Sequence, residues 1–225
     1  MDGDSLPGVL LPDPAQRALA ALLDLDADFA GIEAAAGPLP WRTRAVGFPG
    51  LLQAIVGQQI SNGAAAAIWR RLAAIPGALD PAGLHAMTDD ELRAPGLSRP
   101  KVAHARALAA AFLDGRLDTA GLAAMADEDA IAALSAVRGM GRWTAEVYLL
   151  FALERLDVFP SGDLALAASV ADLKGLPARP PPKVLRGMAE AWAPHRAIAA
   201  RLLWHHWRFR TGRPSMDDTP AATPR

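Results

Sequence analysis

Apolar positions in this chain recur every three or four residues almost throughout, the spacing that lines one face of a helix. Strict alternation of apolar and polar residues, the mark of a half-buried strand, is scarce. Ala and Leu dominate while Val, Ile, Thr and Tyr are sparse, so intrinsic propensity agrees with the periodicity. The pattern predicts helices over 14–24, 25–36, 50–60, 61–74, 88–93, 98–113, 127–135, 142–154, 162–172, 181–191 and 194–211. Pro and Gly punctuate it at Pro38, Pro40, Pro49-Gly50, Pro76-Gly77, Pro95-Gly96, Gly139, Gly141, Pro160 and Pro180-Pro181-Pro182. The fold class is all-α. The polar, Pro-containing stretch 214–225 is expected to be a loose tail.

Composition narrows the function classes. With 225 residues, 52% of them apolar, the chain can build one large domain or two smaller ones. No apolar run approaches the ~20 residues of a membrane span, so no membrane partner is expected. The start Met1-Asp2-Gly3-Asp4 lacks the basic and apolar regions of a signal peptide, and a cytoplasmic protein is expected. Cys is absent, which excludes disulfides, thiol catalysis, a cysteine-held iron–sulfur cluster and cysteine-ligated zinc together. The five His (His85, His104, His195, His205, His206) show no zinc-ligand spacing.

The net charge of −1 conceals an asymmetry. Residues 1–34 carry seven acids against Arg17, and residues 173–213 carry nine bases against Glu190. Such a tract suits a face that meets phosphates, and it equally suits a solvated set of Arg side chains.

The most informative run is Leu134-Ser135-Ala136-Val137-Arg138-Gly139-Met140-Gly141-Arg142-Trp143-Thr144-Ala145. A helix ends, a glycine–apolar–glycine turn follows, and a second helix starts. Two glycines allow a tight turn with bare N–H groups, which join those of the second helix start to cradle an anion. Thr144 can add a hydroxyl. A dinucleotide-binding turn would need a preceding strand, and Ala130 to Ala136 reads as helix. A plain helix cap would not need so long a run.

This run resembles the helix-hairpin-helix motif of the DNA glycosylase superfamily that includes endonuclease III, the adenine-mismatch glycosylase and the 3-methyladenine DNA glycosylases II. In that superfamily an essential Asp follows the hairpin by about twenty residues, and Val158-Phe159-Pro160-Ser161-Gly162-Asp163 puts Asp163 at that place. Leu51 to Ser61, ending Gly57-Gln58-Gln59-Ile60-Ser61, resembles the family's Gln-Gln-Ile-Ser helix end. Gly96-Leu97-Ser98-Arg99-Pro100-Lys101 resembles the turn that opens a further helix. The likeness covers roughly residues 45–210.

The residue after Arg142 separates the branches. Members that also cleave the strand carry a Lys there, whose amine attacks the sugar C1′. This chain has Trp143 and only three Lys: Lys101, Lys174 and Lys183. The resemblance therefore implies a monofunctional glycosylase of the 3-methyladenine type, excising alkylated bases by base flipping, in base excision repair. Excision of oxidised, deaminated or mismatched bases, and a non-catalytic DNA-binding role, are the alternatives. A methylated purine carries positive charge, and an indole face suits a cation.

The resemblance further implies site residues. Asp163 is the catalytic carboxylate, steadying the cationic sugar or orienting water. Trp143, Trp204 and Val147 line the base pocket, with Val147 standing where a bacterial relative has an aromatic residue. Tyr148 and Trp207 read as core. Gly139, Gly141, Arg142, Thr144, Gln58 and Gln59 bind DNA, and Gln59 is the wedge that fills the gap left by the flipped base. The carbonyls of Ser135, Val137 and Met140 hold a structural Na+ or K+. Arg99, Lys101 and Arg106 read as solvating a helix. The implied fold has two lobes with the active site in the cleft between them. One lobe is expected over 49–156, with the hairpin at about 131–154, and the other combines 1–48 with 157–225. The extra N-terminal sheet domain of larger bacterial members is not expected in so short and helical a chain. The expected partner is double-stranded DNA containing damaged bases, bound by a monomer associated with the nucleoid.

Overall fold

A computed structural model describes residues 11–212; the expected tail at 214–225 and the acidic start lie outside the described residues. Among the described residues there is no strand, and the regular elements are thirteen α-helices and two single 3-10 turns. The helices are α1 (Asp13–Leu25), α2 (Ala30–Ala36), α3 (Phe48–Gly57), α4 (Asn62–Ala73), α5 (Pro81–Ala86), α6 (Asp89–Arg93), α7 (Arg99–Leu113), α8 (Thr119–Ala124), α9 (Asp127–Ser135), α10 (Arg142–Phe151), α11 (Leu164–Leu173), α12 (Pro182–Ala189) and α13 (Arg196–Thr211). No described helix is long and apolar enough to cross a membrane.

The chain divides into two compact units. Arg44–Leu153 forms one, and the described residues up to Thr43 join those from Glu154 onward in the other. The sequence had put the divisions after residues 48 and 156. Two bonds assign 44–48 to the middle unit: Arg44 N donates to Phe151 O, and Gly47 N donates to the Tyr148 hydroxyl at 2.8 Å.

The middle unit is α3 to α10. Its core is aliphatic, with Leu51, Leu52, Ile55, Leu108, Leu134 and Leu149 all fully buried. Helix starts follow capping chemistry. Thr88 and Glu91 form a reciprocal capping box at α6, and Asp80 and Asp118 accept from Gly83 N and Gly121 N at α5 and α8. Helices α5 and α8 were not expected. Each is six residues with a glycine inside, too short to show a period.

The discontinuous unit packs α1, α2 and α13 with α11 and α12. Phe29 and Phe159 both meet the buried Trp192, at 5.3 and 5.5 Å between ring centroids. The single helix expected over 25–36 is broken, because the Asp26 side chain caps a 3-10 turn at Ala27–Phe29 before α2 begins. The helix expected from 162 starts two residues later. Ser161-Gly162 turns, and Asp163 is the cap of α11 rather than part of its first turn.

Candidate active site

In the discontinuous unit, Asp163 Oδ1 accepts from Ala165 N at 2.8 Å and Leu166 N at 2.9 Å. The Trp204 indole on α13 donates to the same oxygen at 3.3 Å. Three donors converge on one oxygen, two of them from the positive end of a helix. The carboxylate is thereby fixed in orientation, as stabilising a developing cation requires without reorganisation. Nearby, Arg186 Nε approaches Ser161 Oγ at 3.4 Å, bracing the turn that delivers Asp163. Trp204, expected from sequence to line a base pocket, is half-buried with its edge tied to Asp163.

In the middle unit, the hairpin joins α9 to α10. Gly139 has φ +89°, a left-handed conformation that glycine adopts freely, and Met140 N donates back to Val137 O at 3.0 Å. A Cβ at Gly139 would lie 2.1 Å from the His104 ring. Gly141 differs from the expectation. Its φ of −83° suits any residue, and what its missing Cβ provides is open space before the N–H groups of α10. The turn walls an open recess of about 620 Å³ that Ser135, Val137, Met140, Gln59 and Trp143 also line. Trp143 is 38% exposed there, as a surface offered to a ligand must be. Gln59 is exposed and has φ +57°, unusual for a side chain with a Cβ.

Four other expected site residues have partners or surroundings inside the protein. The Arg142 guanidinium is paired: two nitrogens meet the Glu128 carboxylate at 2.9 and 2.6 Å, and Nε meets buried Glu146 at 2.8 Å. Glu128 above all, with Glu146, holds that guanidinium well above its ordinary pKa, and the two ion pairs clasp α9 to α10. Thr144 is buried, and its hydroxyl accepts from Gln58 Nε2 at 3.2 Å. Gln58 Nε2 also donates to Gly139 O at 2.9 Å, so it is a strut within the protein. Gln58 and Thr144 also line the recess, whereas Val147, 4% exposed on α10, does not.

Several residues of the basic tract are paired as well. Lys174 meets Asp26 and Asp28 at 2.6 and 2.7 Å, and Arg196 meets Asp157 and Glu190. Arg201 is buried over the Trp41 ring at 3.9 Å and donates to Arg42 O. Burial alone would raise the Asp26 pKa, yet hydrogen bonds from Lys174 and Trp192 outweigh it and hold the carboxyl below its ordinary value. Lys174 thus ties the basic tract to the acidic one. Lys101, read as a solvated side chain, donates to Val56 O at 2.6 Å, and burial lowers its pKa. Its place three residues before His104 on α7 was the available signal that both face the same side.

Hairpin, capped aspartate and helical architecture define a base-excision repair fold. The sequence model described as "HhH-GPD superfamily base excision DNA repair protein" matches residues 52–194, and the chain belongs to that superfamily. It is similar to DNA-3-methyladenine glycosylase 1 of Schizosaccharomyces pombe, 33% identical over 158 residues, covering 68% of this chain and 69% of that protein. Among solved structures, an S. pombe 3-methyladenine DNA glycosylase in complex with abasic DNA superposes with TM-score 0.76 at 29% identity, covering 85% of this chain and 95% of that one. A Bacillus halodurans DNA-3-methyladenine glycosidase gives TM-score 0.75 at 31% identity, covering 84% and 88%. Other curated relatives are matched over only 27% to 40% of their length.

Proposed function

We propose that this protein is a monofunctional DNA glycosylase of base excision repair that hydrolyses the N-glycosidic bond of alkylated bases, of the 3-methyladenine and 7-methylguanine class. The observation that carries the reading is the Asp163 carboxylate, held by two backbone N–H groups and the Trp204 indole. Similarity to 3-methyladenine glycosylases supports the lesion class.

The duplex is gripped at a phosphate by the N–H groups of the hairpin and the start of α10. The carbonyls of Ser135, Val137 and Met140, on the recess wall, would hold a Na+ or K+ that adds positive charge beside that phosphate. The damaged nucleotide leaves the stack, and Gln59 fills the gap. Trp143 offers an electron-rich face that favours a cationic base over a neutral one. The bond from C1′ to the base nitrogen then breaks, and its electron pair leaves with the alkylated base, which becomes neutral. Positive charge passes to the sugar, where Asp163 stabilises it. Water adds at C1′ and releases a proton, leaving an abasic site. With Oδ1 occupied by three donors, Asp163 serves chiefly as a fixed negative charge.

Two lysines are committed elsewhere: Lys101 to Val56 O, and Lys174 to Asp26 and Asp28. Their engagement supports water, not an amine, as the nucleophile. The protein acts on double-stranded DNA as a monomer at the nucleoid. The test is base release from methylated DNA, with a panel of oxidised, deaminated and mismatched duplexes beside it. Release of methylated purines with the strand intact until alkali treatment is expected. No release, preferential release from the other lesions, or a nick before alkali would overturn the reading.

A further inference from the structure

Gln58 and Gln59 are neighbours in sequence but face different tasks. Gln59 is exposed in a left-handed conformation, just past the end of α3. Gln58 turns inward, and the two N–H bonds of its amide meet Gly139 O on the hairpin turn and Thr144 Oγ1 on α10. An amide nitrogen has two donors, so both bonds form at once. One residue thus touches the turn and the second limb of the hairpin, 81 and 86 positions away, and a single peptide bond separates it from Gln59.

The helix α7 completes the arrangement. Lys101 donates to Val56 O, fixing the last turn of α3 immediately before the Gln pair. One turn on, the His104 ring lies where a Cβ of Gly139 would sit, so it backs the hairpin turn from the other side. The end of α3 and the glycine turn are therefore registered against one helix and against each other. A left-handed Gln costs conformational energy and persists only where its surroundings hold it.

We infer that Gln58 is a positioning residue that couples the hairpin's grip on a phosphate to insertion of Gln59 into the duplex. Its hydrogen bonds set the height of Gln59 relative to Gly139, so that a gripped phosphate already places the wedge at the correct depth. The inference rests on the wedge and hairpin roles proposed above. It does not depend on which base is excised.

The test uses the full protein and a duplex with a tetrahydrofuran abasic site opposite 2-aminopurine, whose fluorescence reports unstacking when a side chain enters. Gln58→Met keeps the length of the side chain and removes both donors. At saturating protein it is expected to lower the fluorescence change at least about threefold, with affinity for undamaged duplex within about threefold of wild type. In a Gln59→Ala background the same substitution should change the signal by less than about 1.5-fold, because the coupled partner is gone. Lys101→Met, acting on the other side of the Gln pair, should show the same loss of effect in that background. If Gln58→Met folds poorly, Gln58→Asn shortens the strut by one methylene and takes its place. Equal losses in both backgrounds, or undamaged-duplex affinity falling in step with fluorescence, would mean a merely structural role and overturn the inference. So would a wild-type protein that gives no fluorescence change. Fluorescence coupling as expected with no release of methylated bases would instead indict the proposed activity alone.

Discussion

The two units use charge in different ways. In the discontinuous unit, cations meet carboxylates supplied by remote segments: Lys174 reaches Asp26, Arg196 reaches Asp157, and Arg210 meets Asp172. In the middle unit the carboxylate partners lie closer along the chain, Arg106 with Asp89, Arg142 with Glu128 and Arg116 with Asp114, and Lys101, Arg71 and Arg106 also meet backbone carbonyls. The contrast follows from connectivity. A unit assembled from two distant stretches gains from pairs that bridge them, and the Lys174–Asp26 bond spans 148 positions. A unit of consecutive short helices has many frayed C-terminal carbonyls to satisfy. The lesson is that a basic tract in sequence can be spent in part on assembly, so its charge count alone does not mark a phosphate-binding face.

That division predicts substitutions with separable consequences. Asp163→Asn, in the first unit, should reduce single-turnover excision by roughly 100- to 1,000-fold while leaving abasic-duplex affinity nearly unchanged. Comparable losses in both would merge the two roles. Gly139→Ala, in the second, should do the opposite to binding: its φ of +89° and a Cβ 2.1 Å from the His104 ring force the turn to move. A stability loss of about 1–3 kcal/mol by thermal denaturation, with duplex affinity falling before any intrinsic chemistry, is expected.

Arg142→Gln sharpens the comparison further. A phosphate contact would make it a binding defect. The clasp to Glu128 and to Glu146, which is 4% exposed, makes it a stability defect of about 1 kcal/mol, with undamaged-duplex affinity within about threefold. Salt-dependent binding would separate the two, since losing a phosphate contact lowers the slope by nearly one.

The smallest effect concerns pH. Burial lowers the His205 pKa, though its Nε2 lies 2.9 Å from Gly37 O. A His with a depressed folded pKa takes up its proton more readily when unfolded, so stability is full above about pH 6.5 and falls as the pH drops toward the folded value. Asp26, also depressed, adds a second loss at lower pH, below the ordinary carboxylate value. His205→Gln should flatten the melting-temperature profile just below pH 6.5 and leave the more acidic limb in place. An unchanged profile would remove His205 from the account.

Much of this was legible in the sequence because it is local. A period of three to four residues exposed most of the helices, and Pro160-Ser161-Gly162 before an apolar run marked Asp163 as standing at a helix start. The glycine run announced the hairpin. What escaped was what depends on partners far along the chain. Glu146, four positions on, was a local signal of pairing at Arg142, but the partner Glu128 lies 14 positions away and was not visible. Gln58 reads as a polar helix end until Gly139 is brought beside it. Helices α5 and α8 stayed hidden because six residues cannot display a period, although their Asp caps could have flagged them.

The central claim is that a fixed carboxylate steadies a sugar cation. The most direct measurement compares binding of two duplexes, one with a neutral tetrahydrofuran abasic site and one with a pyrrolidine that carries positive charge in the sugar's place. Wild-type protein is expected to prefer the charged duplex by at least about tenfold, and Asp163→Asn to lose that preference without losing affinity for the neutral one. A preference that survives the substitution, or one that wild-type protein never shows, would contradict the account.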